Sequence, residues 1–261
     1  MSALIQDLRY ACRQLWKDKS VALVVVITIA LGIGVNTAVF SMINGFDRPL
    51  PVKNPGEIVV LAADTKGDET GLQFNFSYAA LQDLRRQTDS FTDVFAYTLG
   101  ISGFSLGDKA SQFAHAAVTG NYFTALGIRP QLGRFFEPGE GEGRGEELNV
   151  VLGHSFWQTK FGGDPGVIGK QVRIDGASVT IIGVAPKSFR GVYAGIEMDG
   201  YLPLRSQISD EYGWTRDFFT GRKHRSLTVL GRLKPGVTLK QAQASTSAAA
   251  EHPDSKCCLF Y

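Results

Sequence analysis

"VALVVVITIALGIGVNTAVFSMI", Val21–Ile43, contains no charged side chain. Three readings compete for it: a membrane-spanning helix, an export signal that is cleaved, and a nucleotide-binding turn at Gly32-Ile33-Gly34. The choice decides where the rest of the chain lies. As a helix, the 23 residues would reach about 34 Å, against a hydrocarbon core of about 30 Å. Thirteen of them are Val, Leu, Ile or Phe, each worth roughly −0.3 to −0.6 kcal/mol at mid-membrane. Thr28, Asn36, Thr37 and Ser41 give part of that back, and the balance favours insertion.

A cleaved signal has a shorter apolar region and a small-x-small cleavage site. Here the run is longer, twenty residues precede it, and no clean Ala-x-Ala follows. The nucleotide reading lacks the third glycine, the preceding strand and the ribose-binding acid. A spanning helix is therefore expected over 21–43. Ala30, Gly34 and Ala38 recur at i, i+4, i+8 and form one narrow ridge of small residues. Such ridges let membrane helices approach closely. Asn36 lies off the ridge and could hydrogen-bond across a helix interface. The competing reading is that Gly and Ala are common in membrane helices.

Arg9, Arg13, Lys17 and Lys19 precede the run, and Arg48 and Lys53 lie close after it. The positive-inside bias puts the N-terminus in the cytoplasm and the bulk of the chain outside. Leu4, Ile5, Leu8, Ala11, Cys12 and Leu15 recur at helical spacing among charged residues. Residues 1–20 thus read as a cytoplasmic amphipathic helix suited to the inner leaflet.

The chain has 27 Lys and Arg and 25 Asp and Glu; four of the former and two of the latter precede the run, so the remainder is formally neutral. Neutrality argues against a nucleic-acid partner. The basic cluster Arg222-Lys223-His224-Arg225 reads as a solvated loop. Cys12, Cys257 and Cys258 are not placed to staple a domain, so stability must come from an apolar core.

Beyond the run, strands and helices mix without strict alternation, which is an α+β pattern. A strand is expected at Ile58 to Ala62 and a helix capped by Ser77 to about Gln87. Phe91 to Leu106 reads as strands broken by glycines, and Gln112 to Thr119 as another strand. Short helices are expected from Asn121 and from Ser155 to Phe161, with a buried strand in "NVVLG" between them. Asp175-Gly176 marks a two-residue hairpin in "KQVRIDGASVTIIGVAP". "SLTVLGRLKPG" reads as a strand, and Thr238 caps a last helix.

"DLRYACRQL", "ITIALGIGVNTAVFSMING" and "RPLPVKNPGEIVVL" together resemble the start of orphan permeases of the MacB/FtsX superfamily, notably the acidobacterial duplicated orphan permeases. "VTGNYFTALGIRPQLGRFF", "VVLGHSFWQTKFGGDPGVIGKQVRIDG", "VTIIGVAP" and "YLPL" resemble the MacB-like periplasmic core domain. The resemblance covers roughly residues 4 to 250. It implies a spanning helix at 21–43, a periplasmic core domain over 44–250 with a porter-like part beside a smaller β-rich part, and a tail over 251–261. Family members carry further membrane helices and work with a separate ATPase. Since no second hydrophobic run follows Ala250, the chain reads as a truncated member.

The chain itself lacks a Gly-x-x-x-x-Gly-Lys-Ser/Thr loop. His115, His154, His224 and His252 are scattered, and His154-Ser155 lacks the glycine-flanked elbow of a hydrolase serine. "EPGEGEGRGEE", Glu137 to Glu147, reads as a mobile solvated loop rather than a cation site. No catalytic residue, metal or cofactor is expected. The expected partners are the lipid bilayer, other permease chains or membrane helices, and a separate ATPase subunit. Two functions follow: a non-catalytic subunit of an ABC-type export or mechanotransmission permease in the inner membrane, or a single-span protein whose outer domain only binds a partner or ligand.

Overall fold

The computed structural model describes residues 19–46, 52, 54–65, 72–73, 75–107, 109–141, 148–192, 197–207, 218–219, 221–222, 224–249 and 255–260. The amphipathic segment before Lys19 lies outside them. Two compact units divide the chain, Met1–Pro49 and Leu50–Tyr261.

In the first unit, helix α1 spans Lys19–Phe46 and contains the whole uncharged run. Its side chains at 21, 22, 25, 35 and 38–46 lie outside the described set. Among the described residues, no helix is long and apolar enough to cross a membrane, so the membrane assignment of 21–43 rests on its sequence.

The second unit is mixed α+β. Its strands are β1 (Ile58–Thr65), β2 (Leu72–Gln73), β3 (Asn75–Phe76), β4 (Phe91–Leu106), β5 (Lys109–Val118), β6 (Leu132–Gly133), β7 (Asn149–Leu152), β8 (Gln171–Ile174), β9 (Ala177–Val184), β10 (Gly200–Pro203), β11 (Leu227–Leu233) and β12 (Ser255–Phe260). Its helices are α2 (Tyr78–Gln87), α3 (Tyr122–Leu126), α4 (His154–Phe161) and α5 (Leu239–Ala249). The strands join in one sheet of order β12-β1-β11-β4-β5-β10-β7-β9-β6, with β2 on β1, β3 on β11 and β8 on both β4 and β9. Pairs β5·β10 and β7·β9 are parallel.

The sequence explains most of these elements. The Ser77 hydroxyl accepts the Ala80 N–H at 3.2 Å and starts α2, a cap worth about 1 kcal/mol. Thr238 and Gln241 cap α5 reciprocally. The Thr238 hydroxyl accepts the Gln241 N–H, and the Gln241 amide oxygen accepts the Thr238 N–H. The β8–β9 hairpin turns at Asp175 (φ 47°) and Gly176 (φ 78°), the paired positive φ values that a type I′ turn demands.

Strand β4 organises the unit. Its 16 residues form one strand, not several. The first half pairs with β11 along one edge, from Phe91 to Tyr97. The second half pairs along the same edge with β8, at Phe104 and Ser105. The opposite edge pairs with β5 over most of its length. The pairings β4–β5–β10–β7–β9–β8 return to β4 and close a ring of six strands. Closure gives each of those strands a partner on both edges over at least part of its length. The β1·β11 and ring regions share β4 within one compact unit.

Three apolar clusters fill the unit. One lies in the ring, where Phe104, Phe113, Val150, Leu152, Val172 and Ile181 meet Phe156 and Trp157 of α4. A second packs α2 and α5 on β1 and β11 through Leu81, Leu84, Val229 and Ala242. A third joins Phe95, Tyr122, Phe123, Phe135 and Tyr201, with the Phe123 and Phe135 rings stacked at 3.9 Å. The aromatics of "GNYF", "GRFF" and "HSFW" are therefore core.

Two local expectations change. Residues 255–260 are not a loose tail: they pair with β1 from Val60 to Thr65. The first turn of the Glu137–Glu147 loop is also not free. The Glu140 carboxylate accepts from Arg134 at 2.8 Å, from the Asn149 amide at 2.8 Å and from the Glu137 N–H at 2.9 Å. Residues 142–147 lie outside the described set.

Candidate functional site

The first candidate is the ridge on α1. Ala30, Gly34 and Asn36 are all exposed, and the side chain of Ala38 lies outside the described residues. A β-carbon at Gly32 or Gly34 would meet nothing within 4 Å. Around the same helix, Leu23, Val24, Val26, Ile27, Ile29, Leu31 and Ile33 are each 49–64 % exposed. At 100° per residue they span about 220° of the circumference, a stripe far wider than the apolar face of an ordinary surface helix. Two polar groups within the run are returned to the helix. The hydroxyls of Thr28 and Thr37 donate to the carbonyls of Val24 and Ile33, both at 2.8 Å. That arrangement leaves these two hydroxyls satisfied without water, as an apolar solvent requires.

Several titratable groups among the described residues of the second unit are held in structural contacts. His154 Nδ1 lies 2.9 Å from the Gln131 side-chain oxygen, while the Ser155 hydroxyl donates to Glu197. The two neighbours thus point at different partners and form no nucleophile–base pair. Burial raises the Asp199 carboxyl above its ordinary value, yet that carboxylate accepts the Ala114 N–H at 2.8 Å and tethers β5. Burial alone would raise Glu140; the Arg134, Glu137 and Asn149 donors outweigh it and hold the carboxyl below its ordinary value. His115 is 2 % exposed, and burial holds its imidazole below the ordinary histidine value. Arg222 of the basic cluster pairs with Asp83 at 3.0 Å. Among the described residues, no three His, Cys, Asp or Glu side chains converge as a metal site.

A further contact, not signalled by any motif, sits where the second unit begins. Glu57, just before β1, accepts from Arg232 of β11 at 2.7 Å, and the same guanidinium donates through Nε to the Ala125 carbonyl of α3 at 2.6 Å.

The sequence profile of the MacB-like periplasmic core domain matches residues 22–249. That span begins inside the uncharged run and takes in nearly all of the mixed sheet, and the chain belongs to this family. Solved structures share the fold. A permease-protein domain from Porphyromonas gingivalis is 16 % identical, with a TM-score of 0.57 over 78 % of this chain and 89 % of that one. The periplasmic region of MacB from Actinobacillus actinomycetemcomitans is 15 % identical, with a TM-score of 0.57 over 79 % and 89 %. The extracellular domain of the noncanonic ABC-type transporter YknZ from Gram-positive bacteria is 15 % identical, with a TM-score of 0.54 over 78 % and 100 %. No curated protein matches the chain in sequence. The family makes the chain a permease-like membrane subunit.

Proposed function

We propose that the chain is a non-catalytic subunit of an ABC-type export or mechanotransmission permease in the inner membrane. Residues 21–43 cross the bilayer, the N-terminus is cytoplasmic, and the unit from Leu50 lies on the periplasmic side. The observation that carries this reading is the wide apolar arc of α1 on a run that contains no charged residue. Seven bulky aliphatic side chains point outward over about 220° of the helix, a surface that lipid accommodates better than water.

In this role the periplasmic unit receives or passes on displacement rather than performing chemistry. The described Glu140, Asp199 and Arg222 side chains serve the fold, and the sequence offers no nucleotide-binding loop. Energy for movement then comes from a separate ATPase subunit. Ala30, Gly34 and Ala38 form the surface on which another membrane helix packs, with Asn36 beside it. Lipid tails are as apolar as Leu, so close packing of small residues, not hydrophobic burial, drives such contacts.

The test is co-purification from membranes in mild detergent. Retention of partner membrane chains by the parent, and their loss on Gly34→Leu with insertion unchanged, is the expected result. Retention of the same partners by both proteins would remove the ridge from the account.

A further inference from the structure

The second unit begins with a compact turn. Asn54 has φ 50°, and its side-chain amide donates to Glu57 Oε1 at 2.9 Å. Pro55–Glu57 form a single 3-10 turn, closed by the Glu57 N–H on the Asn54 carbonyl at 3.0 Å. Strand β1 starts at the next residue, and its first pair is Ile58 with Arg232. The contact between Glu57 and Arg232 therefore lies at the end of the β1·β11 ladder where the chain enters β1.

A ladder pulled from its end opens one hydrogen bond at a time, and each neutral bond adds little net stability. Arg232 adds two bonds at that end, one of them charge-assisted on both sides and therefore stronger than a neutral bond. Its side chain is 13 % exposed and that of Glu57 34 %, so the guanidinium end of the pair is the part shielded from solvent. The two bonds leave from different nitrogens toward different elements: Nη1 to Glu57 and Nε to Ala125. Ala125 belongs to α3, whose Tyr122 and Phe123 sit in the central aromatic cluster.

We infer that Glu57 and Arg232 form an anchoring strap. It passes a displacement arriving at Asn54 to β11 and α3 together, and so moves the periplasmic unit as a body instead of peeling β1. The strap itself follows from the geometry; that the displacement originates in α1 rests on the function proposed above. Lysine is a poorer replacement for Arg232, because its single ammonium lacks the fixed, divergent donors that Nε and Nη1 present to Ala125 and Glu57.

Hydrogen exchange of the full chain in detergent micelles tests the strap. In Arg232→Gln, peptides covering residues 54–61 should exchange at least tenfold faster, while peptides from β7 and β9 keep their parental rates. Arg232→Lys should accelerate the same peptides to a lesser degree, and Glu57→Gln should reproduce the local effect. Parental rates at 54–61 in Arg232→Gln would overturn the inference, as would uniform acceleration across the sheet, which marks general destabilisation. Neither outcome depends on which way the chain is inserted, so a failure here is separable from a failure of the membrane reading.

Discussion

Gly100 of β4 lies directly opposite His115 of β5, and the imidazole occupies the space that a side chain at residue 100 would need. A β-carbon there would come within 2.8 Å of His115 Nε2 and 2.9 Å of Cε1. His115 cannot easily move aside, because its ring stacks on Phe113 inside the ring cluster. Gly100→Ala should therefore destabilise the periplasmic unit by about 1–3 kcal/mol, the usual cost of overpacking a filled core. A thermal melt should register a loss of several degrees; an unchanged midpoint would mean that the imidazole relocates freely.

The same histidine gives the fold a pH dependence. Burial holds its folded-state value below 6.5, so between those two values the unfolded chain binds the proton and the folded chain does not. Stability must then fall as pH drops below about 6.5, and level off under the lowered value. Urea midpoints measured from pH 8 to pH 5 should decline more steeply for the parent than for His115→Gln, which has no charge to acquire. Parallel declines would show that carboxylates alone set the acid sensitivity.

The β8–β9 hairpin is pinned to β4 by a reciprocal pair of bonds. The Gly103 N–H donates to Asp175 Oδ1 at 2.6 Å, and the Asp175 N–H donates to the Gly103 carbonyl at 2.9 Å. Asp175 also adopts a left-handed backbone that Asn tolerates and Val does not. Asp175→Asn should cost under about 1 kcal/mol, and Asp175→Val about 2 kcal/mol or more, since it loses the acceptor and strains the turn. Equal losses for the two variants, read from urea denaturation, would contradict the role of backbone conformation.

These contacts explain why β4 was hard to read from sequence. Glycines within an apolar, β-branched stretch normally mark breaks, so Phe91 to Leu106 suggests several strands. Gly100 and Gly103 instead serve neighbours: one makes room for His115, and the other meets Asp175. Both needs arise from residues at least 15 positions away, which no local pattern reports. Signals confined to a few residues were legible: the Ser77 and Thr238 caps, the Asp175-Gly176 turn and the buried "NVVLG" strand all appear where expected. Strand β12 was not, because "SKCCLF" lacks alternation and takes its conformation from the edge of β1. The Glu57–Arg232 contact joins residues 175 positions apart and leaves no trace in either local sequence. Asn121 precedes α3 as expected, but its side chain does not cap the helix; it accepts from Arg85 at 3.0 Å and donates to the Val94 carbonyl at 3.3 Å.

On α1, Gly34→Leu places bulk where a β-carbon now meets open space. It should reduce self-association or association with a permease partner by at least severalfold in a membrane two-hybrid assay, while membrane insertion stays unchanged or improves. Gly32→Leu, one residue pair off the ridge, should have a smaller effect. Identical signals from all three proteins would show that the small residues reflect composition only.

The central claim is that residues 21–43 hold the chain in the inner membrane with its mixed sheet outside. Protease added to intact spheroplasts tests it most directly, with an epitope at the N-terminus and antibody to the unit beyond Leu50. The expected result is loss of the outer unit and survival of a membrane-bound N-terminal fragment. An outer unit that resists digestion until the membrane is broken, or that is recovered as a soluble periplasmic form starting after residue 40, would contradict it.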